Sequence, residues 1–196
     1  MRTLAELERI ASACVLCPLA ETRSHVVFGT GNPEADLMLI GEAPGQKEDA
    51  TGIPFVGQAG MLLDKTLEKV GLRREEIYIA NVLKCRPPEN RDPLKEEIDL
   101  CRPYLDEQIA ILAPRVLAPM GNHAANLFSS KRLSITKAHG KMFAYKGIAV
   151  IPIYHPAAIL YNRTLEPALV EDFQEIVRFL RSGARAAREA DQLSLF

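Results

Sequence analysis

Two polar residues at the ends of apolar segments are of types that can perform chemistry. Asn81 offers a hydrogen-bond donor and an acceptor, a pair that suits recognition of one nucleobase edge. His155 follows the apolar segment 148–154, and a histidine donor there can stabilise negative charge on a leaving group. Each residue alone is more often structural, so their meaning depends on the residues around them.

The loop Gly41–Asp49 follows the apolar segment 37–40 and is rich in glycine, proline and acidic residues. A strand that ends in a Gly/Pro loop is how open α/β sheets place a ligand at their carboxyl edge. Phe55 lies in the next loop, between Pro54 and Gly57. It is either a core residue or a platform on which a base stacks.

Four cysteines form a third candidate group: Cys14, Cys17, Cys85 and Cys101. Disulfides are not expected in a cytosolic chain, and four thiolates suit either zinc or a [4Fe–4S] cluster. A structural zinc site usually pairs two close CxxC motifs, and this chain has one. The spacing therefore favours a cluster over zinc.

The elements that position these residues alternate along the chain. Apolar periodicity predicts helices over 3–13, 58–70, 93–112 and 166–182, and strands over 36–40, 77–83, 115–120 and 148–154. This alternation predicts an α/β fold, a three-layer α/β/α sandwich around a central four-stranded parallel sheet. Right-handed crossovers would bring Glu42, Asn81, Gly121 and His155 to one edge.

Length and composition favour one domain. The chain has 196 residues, 47% of them apolar, and a net charge of −1. We expect a domain over residues 1–182 and a flexible tail over 183–196. No segment is apolar enough to span a membrane and no signal-peptide pattern is present, which predicts a cytoplasmic protein. We expect a monomer.

Charge is unevenly distributed. Residues 108–165 contain seven Lys and Arg, Arg163 among them, and no Asp or Glu. These cations either form one surface for a polyanion or are scattered over the molecule.

Five motifs, taken together and in this order, resemble the iron–sulfur uracil-DNA glycosylases of family 4. They are the loop Gly41–Asp49, the Pro-Phe-Val-Gly segment around Phe55, Asn81 before Lys84-Cys85-Arg86-Pro87-Pro88, His155-Pro156-Ala157-Ala158-Ile159-Leu160, and the cysteine pattern.

The resemblance implies removal of uracil from single- and double-stranded DNA, with the base flipped into a fitted pocket. Phe55 would stack on uracil, Asn81 would bind its Watson–Crick edge, and His155 would stabilise the departing anion. Backbone amides at Ala43 and Gly45 would help to hold the base and a phosphate. The four cysteines would hold a [4Fe–4S] cluster.

Other roles follow from the same resemblance. The best-known uracil glycosylases have an Asp at the position of Ala43, and that Asp orients the attacking water. In this chain Glu42 is the nearest carboxylate, and it either positions water or shapes the loop. Ile159 and Leu160 lie where such enzymes insert a wedge into DNA. The basic side chains of Lys84, Arg86 and Arg163 are expected to contact DNA.

The chain ends with Gln192-Leu193-Ser194-Leu195-Phe196, which resembles the pentapeptide by which bacterial repair proteins bind the sliding clamp. Alternatively, Leu193, Leu195 and Phe196 pack back on the core. A non-catalytic, cluster-bearing DNA-binding module is the alternative function. A nucleotide-binding α/β protein ranks lower because the chain lacks a P-loop and a strand followed by GxGxxG.

Overall fold

A computed structural model describes residues 2–184, which contain six strands and nine α-helices. The strands are β1 (Thr30–Gly31), β2 (Leu37–Gly41), β3 (Tyr78–Asn81), β4 (Val116–Pro119), β5 (Phe143–Tyr145) and β6 (Ile148–Val150). The helices are α1 (Leu4–Ser12), α2 (Leu19–Thr22), α3 (Gln46–Thr51), α4 (Gln58–Lys69), α5 (Lys95–Leu112), α6 (Gly121–Asn126), α7 (Ile135–Ala138), α8 (Pro156–Tyr161) and α9 (Glu166–Arg181). Short 3-10 helices lie at Arg74–Glu76, Pro88–Asn90 and Arg163–Leu165.

The strands form one mixed sheet in the order β1-β3-β2-β4-β6-β5. The four inner strands are parallel, and β1 and β5 pair antiparallel at the two edges. The predicted four-stranded parallel sheet is therefore only the centre of a six-stranded one. β6 is also short, but it lies in the longer apolar segment 148–154, whereas β1 and β5 have two and three residues and no such segment around them, which explains why they were missed.

Helices cover both faces of this sheet. Leu37 and Leu39 of β2 pack with α4, α8 and α9, whereas Met38 and Ile40 of the same strand pack with α5 and α6. A strand buried on both faces is apolar throughout, as the segment 37–40 is. The prediction of a three-layer α/β/α fold is confirmed.

The predicted helix 93–112 begins at Lys95. Its first turn is capped by Glu97, whose Oε2 accepts a hydrogen bond from the backbone N–H of Leu94 at 2.8 Å. The same carboxylate pairs with Arg91, with Nη2 2.6 Å from Oε1. This pairing holds the loop before α5, which contains Asp92, against the helix.

The basic residues of the segment 108–165 do not form one surface. Arg115 precedes β4 and pairs with Asp36, with Nη1 3.3 Å from Oδ2. Lys146 lies in the turn between β5 and β6. Both residues are at the amino edge of the parallel strands, whereas Arg163 follows α8 at the opposite edge. Scattered cations are thus the correct alternative.

Within residues 2–184 we find no helix with the length and apolar character needed to cross a membrane.

Candidate active site

The carboxyl ends of the parallel strands border a cavity of about 510 Å³, a volume suited to a small ligand. Gly41 and Asn81 are register partners where β2 and β3 end, so the loops after these strands start side by side. All the residues predicted to bind the substrate or to act in catalysis line the cavity: Glu42, Ala43, Gly45, Phe55, Asn81 and His155.

Asn81 presents an unsatisfied acceptor to this cavity. Its side chain is 2% exposed, and Oδ1 has no hydrogen-bond partner within residues 2–184. Because an unpaired buried polar atom costs about 1–3 kcal/mol, this oxygen marks a place for a donor on a ligand. Gly41 provides the space: a Cβ there would lie 2.2 Å from Asn81 Oδ1 and 2.7 Å from Phe55 Cζ.

Phe55 forms one wall and is held in an unusual backbone conformation. Its φ of 55° lies in the left-handed region, which a bulky residue adopts only when its surroundings impose it. Glu48 of α3 provides one restraint, since its Oε1 accepts backbone N–H bonds from Val56 at 2.9 Å and Gly57 at 2.8 Å. These bonds tie the Phe55 loop to the helix that follows the Glu42 loop.

Arg74 restrains the Phe55 loop from the other side. Its Nη1 donates to the backbone oxygen of Phe55 at 3.0 Å, and its Nη2 donates to that of Pro54. Asp64 orients the guanidinium, with Oδ1 2.9 Å from Nη1. Gly60 lets α4 approach, because a Cβ there would lie 1.8 Å from the Phe55 oxygen.

His155 caps the start of α8, with Pro156 in the first turn. Its Nδ1 accepts the backbone N–H of Ala157 at 3.1 Å, so a neutral ring carries its proton on Nε2. Burial lowers the pKa of His155 to about 4, which keeps the imidazole neutral near neutral pH. Its ring centroid lies 5.6 Å from that of Phe55.

Glu42 is half-buried beside the cavity. Burial raises the pKa of its carboxyl group, His123 lowers that pKa, and Asp92 raises it. His123 Nδ1 lies 3.7 Å from Glu42 Oε2.

The predicted DNA contact at Lys84 is wrong. Its side chain is 2% exposed, and Nζ donates to the Asn81 backbone oxygen at 2.8 Å and to Gln108 Oε1 at 2.6 Å. Burial lowers the pKa of this amine to about 8. Arg86 is half-buried and donates to Asn90, whereas Arg163 is exposed.

The predicted wedge is also corrected at Ile159. This residue is 2% exposed and packs in the core, because consecutive positions of a short helix face different directions. Leu160 is 45% exposed, and the next residue, Tyr161, is 93% exposed and lines the cavity. Sequence reasoning did not single out Tyr161.

All four cysteines line one enclosed cavity. Cys14 and Cys17 lie between α1 and α2, Cys85 follows β3, and Cys101 lies in α5. Two sulfurs accept hydrogen bonds: Arg23 Nη1 donates to Cys85 Sγ at 3.4 Å, and the backbone N–H of Lys84 donates to Cys101 Sγ at 3.3 Å. Burial raises the pKa of Cys101 to about 11, unlike that of a reactive nucleophile.

The sulfur spacing bears on what the cysteines could hold. Within residues 2–184, no three of these sulfurs lie within 4.8 Å of one another. Four thiolates on one tetrahedral zinc ion, with Zn–S bonds of about 2.3 Å, are only about 3.8 Å apart. Among any three of these sulfurs, at least one pair is therefore farther apart than the thiolates of a tetrahedral zinc site.

Sequence reasoning assigned no role to Glu48, Arg74, Asp92 or His123. Glu48 lies within the recognised loop, but no local pattern indicates that it binds residues 56 and 57. Arg74 is 19 positions from Phe55 and meets it only through the packing of α4 against the sheet.

Comparison with known proteins agrees with this arrangement. The sequence model of the Uracil DNA glycosylase superfamily matches residues 28–181. The type-4 uracil-DNA glycosylase of Archaeoglobus fulgidus is 44% identical, with 90% of this chain and 92% of that protein aligned. The type-4 enzyme of Sulfurisphaera tokodaii is 44% identical over 90% of this chain and 84% of that protein. The type-4 enzyme of Thermotoga maritima is 43% identical over 92% of this chain and 98% of that protein.

The family match includes every strand of the sheet and every residue lining the cavity at its carboxyl edge. The chain therefore belongs to the uracil-DNA glycosylase superfamily, and within it to the type-4 uracil-DNA glycosylases.

Proposed function

We propose that this chain is a uracil-DNA glycosylase, which flips uracil out of DNA and hydrolyses its N-glycosidic bond to leave an abasic site. The observation that supports this most is the buried, unpaired Asn81 Oδ1 in a cavity shared with Phe55 and His155. The relatives named above are uracil-DNA glycosylases by name.

In this proposal Asn81 reads the base. Its Oδ1 accepts the N3–H of uracil, and its amide nitrogen donates to O4. Phe55 stacks on the ring, an interaction worth roughly 1–3 kcal/mol per base. Ala43 and Gly45 present loop backbone to the base and an adjacent phosphate, as their place in the cavity wall allows.

Cleavage of the bond between C1′ and N1 leaves the electron pair on uracil, and the negative charge spreads to O2. His155 stabilises this anion by donating a hydrogen bond from Nε2–H. The neutral ring suits this task because Nδ1 is already an acceptor for Ala157, so the remaining proton is held on Nε2. Removing one such donor typically lowers a rate roughly 10²–10³-fold.

Water completes the reaction by adding to C1′, and its proton passes to the Glu42 carboxylate. Partial burial raises the pKa of Glu42, which makes it a stronger base than an exposed glutamate.

Contacts with the DNA outside the pocket use residues that are exposed or half-buried. Arg86 and Arg163 bind phosphates. Leu160 and the neighbouring Tyr161 fill the gap left by the flipped base, since both side chains are exposed at the end of α8 and Tyr161 lines the cavity. Single- and double-stranded DNA are both substrates.

The four cysteines fit a [4Fe–4S] cluster, because they line one cavity with wide sulfur spacing and two N–H donors. Bound there, the cluster would tie the N-terminal helices to β3 and α5, a structural role. We expect about four irons per chain. A Cys101→Ala variant should lose iron and solubility more than specific activity. Stoichiometric zinc without iron would contradict this assignment.

Binding of the bacterial sliding clamp through Gln192, Leu193, Leu195 and Phe196 remains a proposal, since these residues lie outside the described ones. A monomeric state and a cytoplasmic location also stay predictions.

Single-turnover release of uracil from a single-uracil oligonucleotide tests the proposed function. We expect His155→Ala to lower the rate roughly 10²–10³-fold and to leave duplex affinity nearly intact. Equal losses of affinity and rate would make His155 structural. DNA binding without any uracil release by the unaltered protein would instead favour the non-catalytic module.

A further inference from the structure

We propose that His123 is a positioning residue for uracil excision, because it favours the ionised form of Glu42. Asp92 disfavours that form, and His123 and Asp92 together set the pH at which the enzyme becomes active. This inference rests on the proposed function, in which Glu42 must be ionised to take the proton of the attacking water.

The three side chains come from separate segments and meet beside the cavity. Glu42 follows β2, Asp92 lies in the loop before α5, and His123 lies in α6. His123 Nδ1 is 3.7 Å from Glu42 Oε2, and Nε2 is 4.0 Å from Asp92 Oδ2. The imidazole thus lies between two carboxylates. Both distances exceed a hydrogen bond, so the interaction acts through charge.

Strand order explains why His123 reaches Glu42. β4 is the parallel neighbour of β2, and the backbone N–H of Met120 donates to the Ile40 oxygen at 2.8 Å. Gly121, with a φ of +84°, then turns the chain from the sheet into α6. The first turn of α6 therefore starts next to the loop that carries Glu42.

His123 acts through Glu42 and not on the substrate. Glu42 and Asp92 line the cavity, whereas His123 is not part of its lining and is exposed. The pKa of Glu42 responds to both neighbours in opposite directions, lowered by His123 and raised by Asp92.

Other titratable or charged groups around the cavity have partners of their own or face elsewhere. Arg91 is paired with Glu97, and Glu48 accepts the backbone N–H groups of Val56 and Gly57. His155, which caps α8, and Tyr161, at its end, complete the set of titratable groups in the wall. Among the described residues, His123 and Asp92 are the titratable side chains that act on the pKa of Glu42.

The test is the pH dependence of single-turnover excision at saturating enzyme, with a chelator present so that no stray metal ion adds charge. The rate should rise with pH as Glu42 loses its proton. His123→Gln removes the imidazole that lowers the pKa of Glu42, so the midpoint should move up by about half to one pH unit. Asp92→Asn removes a like charge, so the midpoint should move down by a similar amount.

Two further variants separate charge from shape. His123→Lys places a positive charge at the same position and should bring the midpoint back toward that of the unaltered enzyme. Lys137→Gln removes an exposed cation from α7 and should leave the midpoint unchanged, because this residue lies outside the cavity wall.

Midpoints that do not move, or that move in the same direction for His123→Gln and Asp92→Asn, would overturn the inference. So would a flat profile, or a His123→Lys variant that behaves like His123→Gln. If the enzyme releases uracil but gives any of these outcomes, the role of His123 fails and the proposed function stands. If the unaltered protein releases no uracil at any pH, the proposed function fails as well.

Discussion

At the scale of single residues, Asn81 carries the most specific chemical information. It is buried, its Oδ1 is unpaired within the described residues, and Gly41 leaves space for it. An asparagine kept in this costly arrangement is better explained by a ligand that satisfies it than by packing.

Asn81→Asp should relax discrimination between uracil and cytosine. A carboxylate repels O4 of uracil but can accept a hydrogen bond from the amino group of cytosine. Release of both bases from matched oligonucleotides measures this, with Asn32→Asp, in the turn before β2, as the control. A variant that remains strictly specific for uracil would show that Asn81 does not read the base.

His155 predicts how stability depends on pH. Burial lowers its pKa from 6.5 to about 4, so between these values the unfolded chain binds a proton there and the folded chain does not. This contribution to stability is complete above pH 6.5 and is lost as the pH falls toward 4.

Urea unfolding at several pH values checks this prediction. The free energy of unfolding of His155→Gln should fall less over that range than that of the unaltered protein, provided glutamine accepts the Ala157 N–H. Asp172, whose pKa burial raises to about 6, acts in the opposite direction. It is present in both proteins and cancels in the difference. Equal slopes would contradict the assigned pKa.

At the scale of elements, the Phe55 loop is held from two sides. Glu48 of α3 binds its backbone N–H groups, and Arg74, from the 3-10 helix before β3, binds its carbonyl groups. The stacking platform is therefore positioned by two elements that are not its sequence neighbours.

Arg74→Met should lower the free energy of unfolding by roughly 1–3 kcal/mol, because it removes charge-assisted hydrogen bonds to two carbonyl groups. It should also raise KM more than it lowers kcat, since Phe55 binds the base and does not take part in bond cleavage. Arg73→Met is the matched control: its side chain is 73% exposed and pairs with Glu76. Equal effects of the two substitutions would argue against the positioning role.

At the scale of the whole molecule, the N-terminal helices, β3 and α5 converge on the cysteine cavity, while the carboxyl edge of the sheet forms the active site. Lys84 connects the two regions, because its backbone bonds Cys101 and its side chain bonds the Asn81 carbonyl. The C-terminal motif, residues 192–196, lies outside the described residues.

Deletion of residues 192–196 should abolish binding to the bacterial sliding clamp and leave uracil excision on short oligonucleotides unchanged. The combined substitutions Leu195→Ala and Phe196→Ala should do the same, since apolar anchors dominate small interfaces. Surface plasmon resonance with immobilised clamp and the excision assay measure the two properties. Loss of folding or of excision would place the tail on the core.

The sequence by itself determined the central strands, the long helices and part of the cavity wall. Asn81, Phe55 and His155 could be found because each follows or interrupts an apolar segment, and such breaks are visible locally. The two edge strands were too short to leave a pattern.

Only the tertiary structure decided which neighbours in these motifs face inward. Lys84 and Arg86 are two positions apart, and Lys84 is the buried one. The predicted wedge residues Ile159 and Leu160 are adjacent, and Ile159 is the buried one. The reason is that burial depends on what packs against a segment. Gln108 of α5 accepts a hydrogen bond from the Lys84 amine, and the core beneath α8 encloses Ile159. The contacts of Arg74 with Phe55 and of His123 with Glu42 join residues far apart in sequence, so they exist only once the sheet has assembled.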